Sequence, residues 1–228
     1  MEDKKNELTE EYLKSILPSR PVFRIEFSDE KCGYTDSKLG GSFYWPEGRP
    51  DSEIELCCFL AQINFEELPE NDIFPKHGLL QFFTDGSDEG FVIYHKDVSE
   101  NGIELETDDA SDDSPVIKEA KILFKPGTEY MSWSDYRFSE YADEDEVLDS
   151  KDLCALFNGS GSKLLGYPYF TQFDPRDKST DRDSLLLQID SDGEYVMWGD
   201  FGVGNFFMND NALMDMDFSG VFFTWDCC

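Results

Sequence analysis

The sequence contains a weak copy of itself, and this repeat constrains the fold more than any other feature. Three stretches recur in the same order: 38–45 aligns with 163–170, 60–64 with 186–190, and 78–83 with 202–207. The spacings between them differ by only one or two residues, and 60–64 aligns only once a gap is allowed. A doubled sequence predicts two similar β half-units that share one seam, although it does not identify a function.

The composition favours strands around a substantial core. Hydrophobic residues make up 39% of the 228 residues, aromatic residues make up 15%, and twenty residues are phenylalanines. Aromatic side chains are enriched in strands, and this apolar content is enough to form a core despite the high charge. We therefore predict a single α+β domain over 1–228, predominantly antiparallel β, that is built from two similar half-units by internal duplication.

Local patterns divide the chain into four regions. An N-terminal region (1–20) carries an amphipathic helix at 6–17, which Pro18 ends. The first repeat unit covers 38–96, an acidic connecting region covers 97–160, and the second repeat unit covers 163–228. Strands are predicted at 22–27, 56–64, 79–84, 91–95, 120–124, 184–190, 194–200, 204–208 and 220–225, with a hairpin turn at 191–193 and a short helix near 149–157.

The net charge of −31 narrows the range of partners. A chain this acidic repels nucleic acid and anionic membranes, and it attracts basic protein surfaces or divalent cations. We therefore expect no nucleic-acid or membrane partner, and we expect a basic protein partner. The alternative is an acidic protein whose charge serves only solubility, and the charge alone does not decide between the two.

The start of the chain lacks the apolar stretch of a signal peptide, and no apolar run is long enough to span a membrane. These features predict a cytoplasmic protein, in which the six cysteines are reduced and mainly buried. No Cys-x-x-Cys spacing occurs, so neither a metal site nor a cofactor is predicted.

No catalytic residue is predicted. His77 lies in a Pro-Lys-His-Gly loop and His95 ends a strand, so both are predicted at the surface or in loops. No serine or cysteine accompanies either histidine at a motif spacing. Carboxylates are abundant, so an acid pair for catalysis is conceivable; Asp174, Asp177, Asp190 and Asp200 are the candidates in the second unit. A carboxylate-based metal-dependent or hydrolytic enzyme is therefore the alternative function.

Several polar and aromatic residues are candidates for a binding site. Gln62 and Gln188 occupy equivalent places in apolar strands, so an inward amide must be hydrogen-bonded. We favour a role in pinning the loop around Gly41 or Gly166 over ligand binding. Arg176 is predicted to form a bidentate pair with a nearby carboxylate, with anion binding as the alternative. The remaining candidates are Asp174, Trp45 and Trp198, and the two tryptophans are expected to pack in the core.

The quoted stretches resemble those of the YwqG-like family of bacterial proteins. The resemblance starts near Val22 and includes the motifs at 40–46, 60–65, 78–83, 166–176, 187–191, 197–200 and 225–228. The family was defined without a known activity, and the resemblance implies one duplicated, mostly β domain in the bacterial cytoplasm. Some relatives look like immunity proteins of toxin systems. A more distant similarity leads to eukaryotic chaperones of a ribosomal protein.

The charge and the resemblance together predict a non-enzymatic acidic module that binds a basic protein. Its acidic patches are expected at 104–113 and 140–149, where Asp108, Asp109, Glu144 and Asp145 are the candidate contacts. The patches would speed association, and buried aromatic groups would set the lifetime of the complex. A structural or regulatory protein without a small ligand is a third possibility. The sequence leaves the oligomeric state open.

Overall fold

The computed structural model describes residues 8–52, 54, 57–85, 89–99, 101–106 and 114–228. The strands are β1 (Ser19–Ser28), β2 (Lys38–Leu39), β3 (Phe43–Trp45), β4 (Cys58–Asn64), β5 (Leu79–Thr84), β6 (Gly90–His95), β7 (Ile103–Leu105), β8 (Ala120–Tyr130), β9 (Lys163–Leu165), β10 (Ser184–Asp190), β11 (Val203–Met208) and β12 (Phe222–Asp226). The helices are α1 (Glu10–Ile16), α2 (Glu144–Leu148), α3 (Lys151–Leu156) and α4 (Asp210–Met214), and short 3₁₀ turns occur at Phe65–Glu67 and Phe138–Glu140.

The N-terminal helix has clear start and stop signals. The Thr9 side chain caps α1 by accepting a hydrogen bond from Tyr12 N at 3.2 Å. Leu13 faces the core, and Pro18 follows the last turn, where a proline cannot continue the helix. The predicted helix at 6–17 is confirmed from Glu10 onward, and residues 6 and 7 lie outside the described part of the chain.

Ten strands form one antiparallel sheet with a symmetric order. The order is β12-β11-β10-β9-β1-β8-β2-β4-β5-β6, and β3 pairs with β7 in a separate ribbon. The centre is the long pair β1 and β8, which stay in register from Ser19 opposite Tyr130 to Ser28 opposite Lys121. We call β2, β4, β5 and β6 the first half of the sheet, and β9, β10, β11 and β12 the second half.

The two edges of the sheet approach each other. Gly90 of β6 lies so close to β12 that a Cβ added to it would stand 2.7 Å from Phe223 Cβ. Inside the sheet, the rings of Phe82 and Phe206 meet with centroids 5.1 Å apart, which joins the two halves. The sheet is therefore a nearly closed, barrel-like structure. The predicted predominance of antiparallel strands is confirmed, and the described helices are few and short.

Apolar side chains fill the interior and a second, smaller cluster. The interior combines residues of both halves with the inward side of β1 and β8, and each fully buried aromatic group contributes on the order of 1.5–3 kcal/mol. The second cluster holds Leu13, Leu17, Met131, Phe138, Val147, Leu153, Phe157 and Tyr167. It unites α1, α2, α3 and the Phe138–Glu140 turn into what we call the helical layer.

One predicted strand and its turn are wrong. Residues 194–200 form no ladder beyond a single bridge between Val196 and Val116, and the partner of β10 is β11. The reason is the side chain of Asp192, whose Oδ1 accepts hydrogen bonds from the backbone N–H groups of residues 194–196. This local capping competes with strand pairing. The predicted acidic connecting region, 97–160, contains the central strand β8.

Candidate functional site

Gln62 lies at the centre of a buried hydrogen-bond network in the first half. Its Oε1 accepts from Tyr44 N at 3.2 Å and from Gln81 Nε2 at 2.9 Å. Its Nε2 donates to the carbonyl oxygens of Tyr34 and Asp36 at 3.0 and 2.9 Å. The amide therefore ties the loop before β2 to β3 and β5. It pins backbone, as favoured from the sequence, but the pinned loop precedes Gly41 by several residues.

His95 extends this network, and its predicted surface position is wrong. The residue is 6% exposed, and its Nε2 lies 2.8 Å from Gln81 Oε1. The rings of Tyr44 and Trp45 pack edge-on against the imidazole. Burial, aided by the charge of Arg49, lowers the pKa of His95 to about 4, so the ring is neutral at pH 7. His77, by contrast, is exposed, as predicted.

Gln188 makes the matching contacts in the second half. Its Oε1 accepts from Tyr169 N at 2.8 Å, and its Nε2 donates to the carbonyl oxygens of Gly159 and Gly161 at 2.9 and 2.8 Å. Asn205 takes the place of Gln81, because its Nδ2 donates to Tyr169 O at 3.0 Å, as Gln81 Nε2 does to the Tyr44 carbonyl. Both glutamines are fully buried and have their amide groups satisfied by the protein itself.

Arg176 forms the predicted bidentate pair. Its Nε and Nη2 donate to the two carboxylate oxygens of Asp174 at 3.0 and 2.7 Å. Nη2 also reaches Asp135 at 3.1 Å, Nη1 donates to the carbonyl of Arg182, and the guanidinium stacks on Phe207 at 4.1 Å. With the residue only 3% exposed, these contacts hold a buried cation in place.

Asp135 completes this cluster and was missed from the sequence. Arg137 binds it in the same bidentate way, at 2.8 and 2.7 Å. Burial acts to raise the pKa of Asp135, but the hydrogen bonds and charges of Arg137 and Arg176 outweigh it and lower the pKa below its usual value. The available signal was the repeated Asp-x-Arg spacing at 135–137 and 174–176.

Both candidate tryptophans lie in the core, as predicted. Trp45 packs on Phe43, and its Nε1 donates to Arg49 O at 3.0 Å. Trp198 stacks against Trp225 inside the barrel at 5.9 Å and is 4% exposed. Neither side chain offers an open face for a sugar or a base.

Two buried lysines are further residues that the sequence did not single out. Lys38 pairs with Glu119, and Lys163 binds both oxygens of Glu129 at 2.9 and 3.0 Å; both lysines are fully buried. Burial lowers the pKa of Lys163 to about 8, although Glu129 opposes this shift. The two lysines occupy equivalent repeat positions, which was the only signal in the sequence.

The acidic block at 139–152 forms an exposed surface on the helical layer. Glu144 and Asp145 lie in the first turn of α2, where Asp143 caps the helix by accepting from Asp145 N at 3.1 Å. Negative side chains are favourable at this end of a helix. An open cleft of about 500 Å³ is lined by residues 139–145, and Tyr141 within it is 42% exposed.

Few bases compensate the charge of this surface. Elsewhere ion pairs join Arg20 to Asp210, Arg24 to Glu129, Lys118 to Asp29 and Glu194, Lys121 to Asp36 and Glu67, and Lys125 to Glu26. Within the described ranges, no ion pair joins Glu144, Asp145 or Asp152 to a base, whereas Glu140 pairs with Lys178 at 2.6 Å. The helical layer therefore presents a negatively charged surface.

The other predicted acidic patch is only partly described. Asp108 and Asp109 lie outside the described residues. Glu104 belongs to β7 and accepts a hydrogen bond from Ser42. The remaining carboxylate candidates do not converge on a metal: in the described part of the chain, no three His, Cys, Asp or Glu side chains are grouped as ligands.

Most of the cysteine thiols are at least partly exposed to solvent. Cys58 is buried, Cys228 is exposed, and the other four cysteines are partly exposed, so the prediction of mainly buried thiols is wrong.

None of the helices that the structure describes has the length and apolar character needed to cross a bilayer.

Comparison with known proteins assigns the chain to a family but reveals no activity. The model of a family described as a domain of unknown function, DUF1963, matches residues 37–227. No curated protein matches the sequence. The match spans both halves of the sheet and the helices α2, α3 and α4.

Proposed function

We propose, from the premise that this chain belongs to the DUF1963 family of unknown function, that it is a non-enzymatic module that binds a basic protein. The observation that carries the proposal is the exposed acidic surface of the helical layer, on which Glu144, Asp145 and Asp152 form no ion pair with a described base. Residues 139–152 hold seven acids (Glu140, Asp143, Glu144, Asp145, Glu146, Asp149, Asp152) against one base, Lys151. A partner with a complementary basic surface would be drawn to this side of the molecule.

The cleft at 139–145 would receive a lysine or arginine side chain of the partner. Glu144 and Asp145 supply carboxylates, and the exposed ring of Tyr141 supplies an aromatic face. A cation held between carboxylates and a ring gains from charge and from cation–π attraction, the latter about 0.5–1 kcal/mol at an exposed site. This combination favours a protein cation over a metal ion, because a ring is not a metal ligand.

The proposal also covers the origin of the two halves, the cellular location and the class of binding protein. The matched hydrogen bonds of Gln62 and Gln188 support internal duplication as the origin of the two halves. The resemblance to YwqG-like proteins supports a bacterial cytoplasmic protein. An immunity protein for a cationic toxin and a chaperone for a basic client are both compatible with this surface.

The test is capture of partners from a lysate of the source cells at about 50 mM and about 300 mM salt, a range over which charge contacts weaken strongly. The bait is compared with Glu144→Gln/Asp145→Asn and with a control, Glu47→Gln/Asp200→Asn, that removes the same charge from exposed acids elsewhere. We expect a basic protein that the bait and control retain at low salt and that the first variant loses. Equal retention by both variants, or retention that salt does not affect, would contradict the proposal.

A further inference from the structure

A second cleft lies at one end of the barrel, between α4 and the 72–73 segment. It has a volume of about 560 Å³, within the range of ligand pockets in general. Its walls are mainly apolar and are formed by Pro21, Ile73, Leu165, Leu185, Leu213 and Met214. Met214 is 74% exposed at the rim, an unusual position for so large an apolar side chain. The mouth of a barrel is a common place for binding.

The polar groups of this cleft leave it negatively charged. Arg20 donates to the Asp183 carbonyl at 2.8 Å and lies 3.4 Å from an Asp210 carboxylate oxygen. Ser184 Oγ donates to Asp210 at 2.5 Å, so Arg20, Ser184 and Asp210 satisfy one another. Asp72 also lines the cleft, is exposed, and forms no ion pair with a described base. The uncompensated charge at the rim is therefore that of a carboxylate.

The backbone of Leu165 indicates that its side chain is needed here. Leu165 has φ +62°, a left-handed conformation that costs a residue with a Cβ roughly 1 kcal/mol or more. The equivalent position in the first half is Gly40, with φ +57°, where no such cost arises. A leucine in place of glycine fills the interior beside the cleft and forms part of its wall.

We propose that this cleft receives an aliphatic side chain of the basic partner, such as a leucine flanked by lysines. The inference rests on the proposed function. The occupant follows from the apolar walls, the negative rim at Asp72, and the position of the cleft beside the helical layer. Tyr167 connects the cleft to the helical layer. Its ring centre lies 5.4 Å from the Arg20 guanidinium, and the residue belongs to the apolar cluster of the helical layer. An apolar centre with a polar rim is the usual anatomy of a protein interface.

The experiment titrates two end-blocked peptides, Lys-Lys-Leu-Lys-Lys and Lys-Lys-Ser-Lys-Lys, into the full chain at about 50 mM salt and follows methyl and amide resonances. Both peptides are expected to shift the amide signals of 139–152. Only the leucine peptide is expected to shift the methyl signals of Leu165, Leu213 and Met214, and to bind about tenfold more tightly.

Two variants make this test specific. Met214→Gln should remove most of the advantage of the leucine peptide, whereas Phe173→Gln, at a residue 72% exposed, should leave it intact. Equal affinity of the two peptides with unmoved cleft methyl signals would overturn the cleft assignment and leave the proposed function standing. Shifts in the cleft without any at 139–152 would support the cleft and overturn the acidic surface as the site of capture.

Discussion

The two halves of the sheet share a set of backbone contacts but differ in what surrounds them. Gln62 and Gln188 each bind two carbonyl groups that are two residues apart, in loops that precede equivalent short strands. Beyond these contacts the halves diverge. Gln81 reaches His95, whereas the shorter Asn205 leaves its Oδ1 without a hydrogen-bond partner among the described residues. Both halves therefore require a glutamine that fixes the loop before the short strand, whereas the residues around that glutamine differ.

The two buried lysines likewise have the same need for a carboxylate partner, and each half supplies it from a different position. Lys38 takes its carboxylate from Glu119, just before β8, and Lys163 takes its carboxylate from Glu129, near the end of β8. A buried ammonium group needs a counter-charge, because its desolvation costs several kcal/mol. Different positions therefore supply the same chemical group to two equivalent sites.

The largest expected effect tests this pair of lysines. Glu129→Ala should lower the free energy of unfolding by about 3–5 kcal/mol at pH 7, because it leaves Lys163 buried without a counter-charge. Glu119→Ala should cost less, since Glu119 is 45% exposed and its removal opens Lys38 to water. Urea unfolding of both variants measures the difference. An equal or greater loss of stability for Glu119→Ala would show that the exposure of the carboxylate does not reduce the cost of removing it.

The second expected effect is a loss of stability at acid pH that arises from His95 in the first half. The folded pKa of about 4 lies below the ordinary 6.5, so the unfolded chain binds the proton more readily. The stabilisation is complete above pH 6.5 and is lost as pH falls towards 4, with a total of at most about 3 kcal/mol. The equivalent position of the second half holds Asp226, so no histidine is buried there.

Unfolding experiments between pH 4 and 7 on the unchanged protein and on His95→Gln measure this step by difference. The variant should lose less stability with acid than the unchanged protein. Parallel curves for His95→Gln and the unchanged protein would show that the imidazole is not held neutral by the fold.

The sequence was sufficient for the features that depend on local pattern. Strand positions such as 58–64 and 184–190 follow from apolar composition, and the burial of Gln62 and Gln188 follows from their place within those strands. The bidentate pair of Arg176 was also predictable, because its partner Asp174 lies two residues away.

Features that depend on distant segments were not predictable. His95 ends a strand, a position that predicts exposure, but β3, some fifty residues earlier in the chain, covers it with Tyr44 and Trp45. The repeat also gave no indication that β1 and β8 form the centre, because neither strand belongs to the recurring stretches. A repeat predicts equivalent parts, whereas their arrangement depends on which edges remain to be paired.

The smallest expected difference is the one between the losses of stability caused by the two glutamine substitutions. Gln62→Leu leaves Tyr44 N and the carbonyls of Tyr34 and Asp36 without this partner, and each buried orphan group costs about 1–3 kcal/mol. Gln188→Leu should cost less, by about 1 kcal/mol, because the Gly159 carbonyl keeps its hydrogen bond from Lys163.

Urea unfolding of Gln62→Leu, Gln188→Leu and Gln188→Leu/Lys163→Met measures whether this difference has the stated cause. The double variant should lose more than the sum of its two single changes, because only the double change leaves the Gly159 carbonyl without either donor. Simple additivity would mean that the lysine does not substitute for the glutamine at that carbonyl. The two halves would then differ in stability for a reason other than the second donor, and the shared pinning role alone would remain.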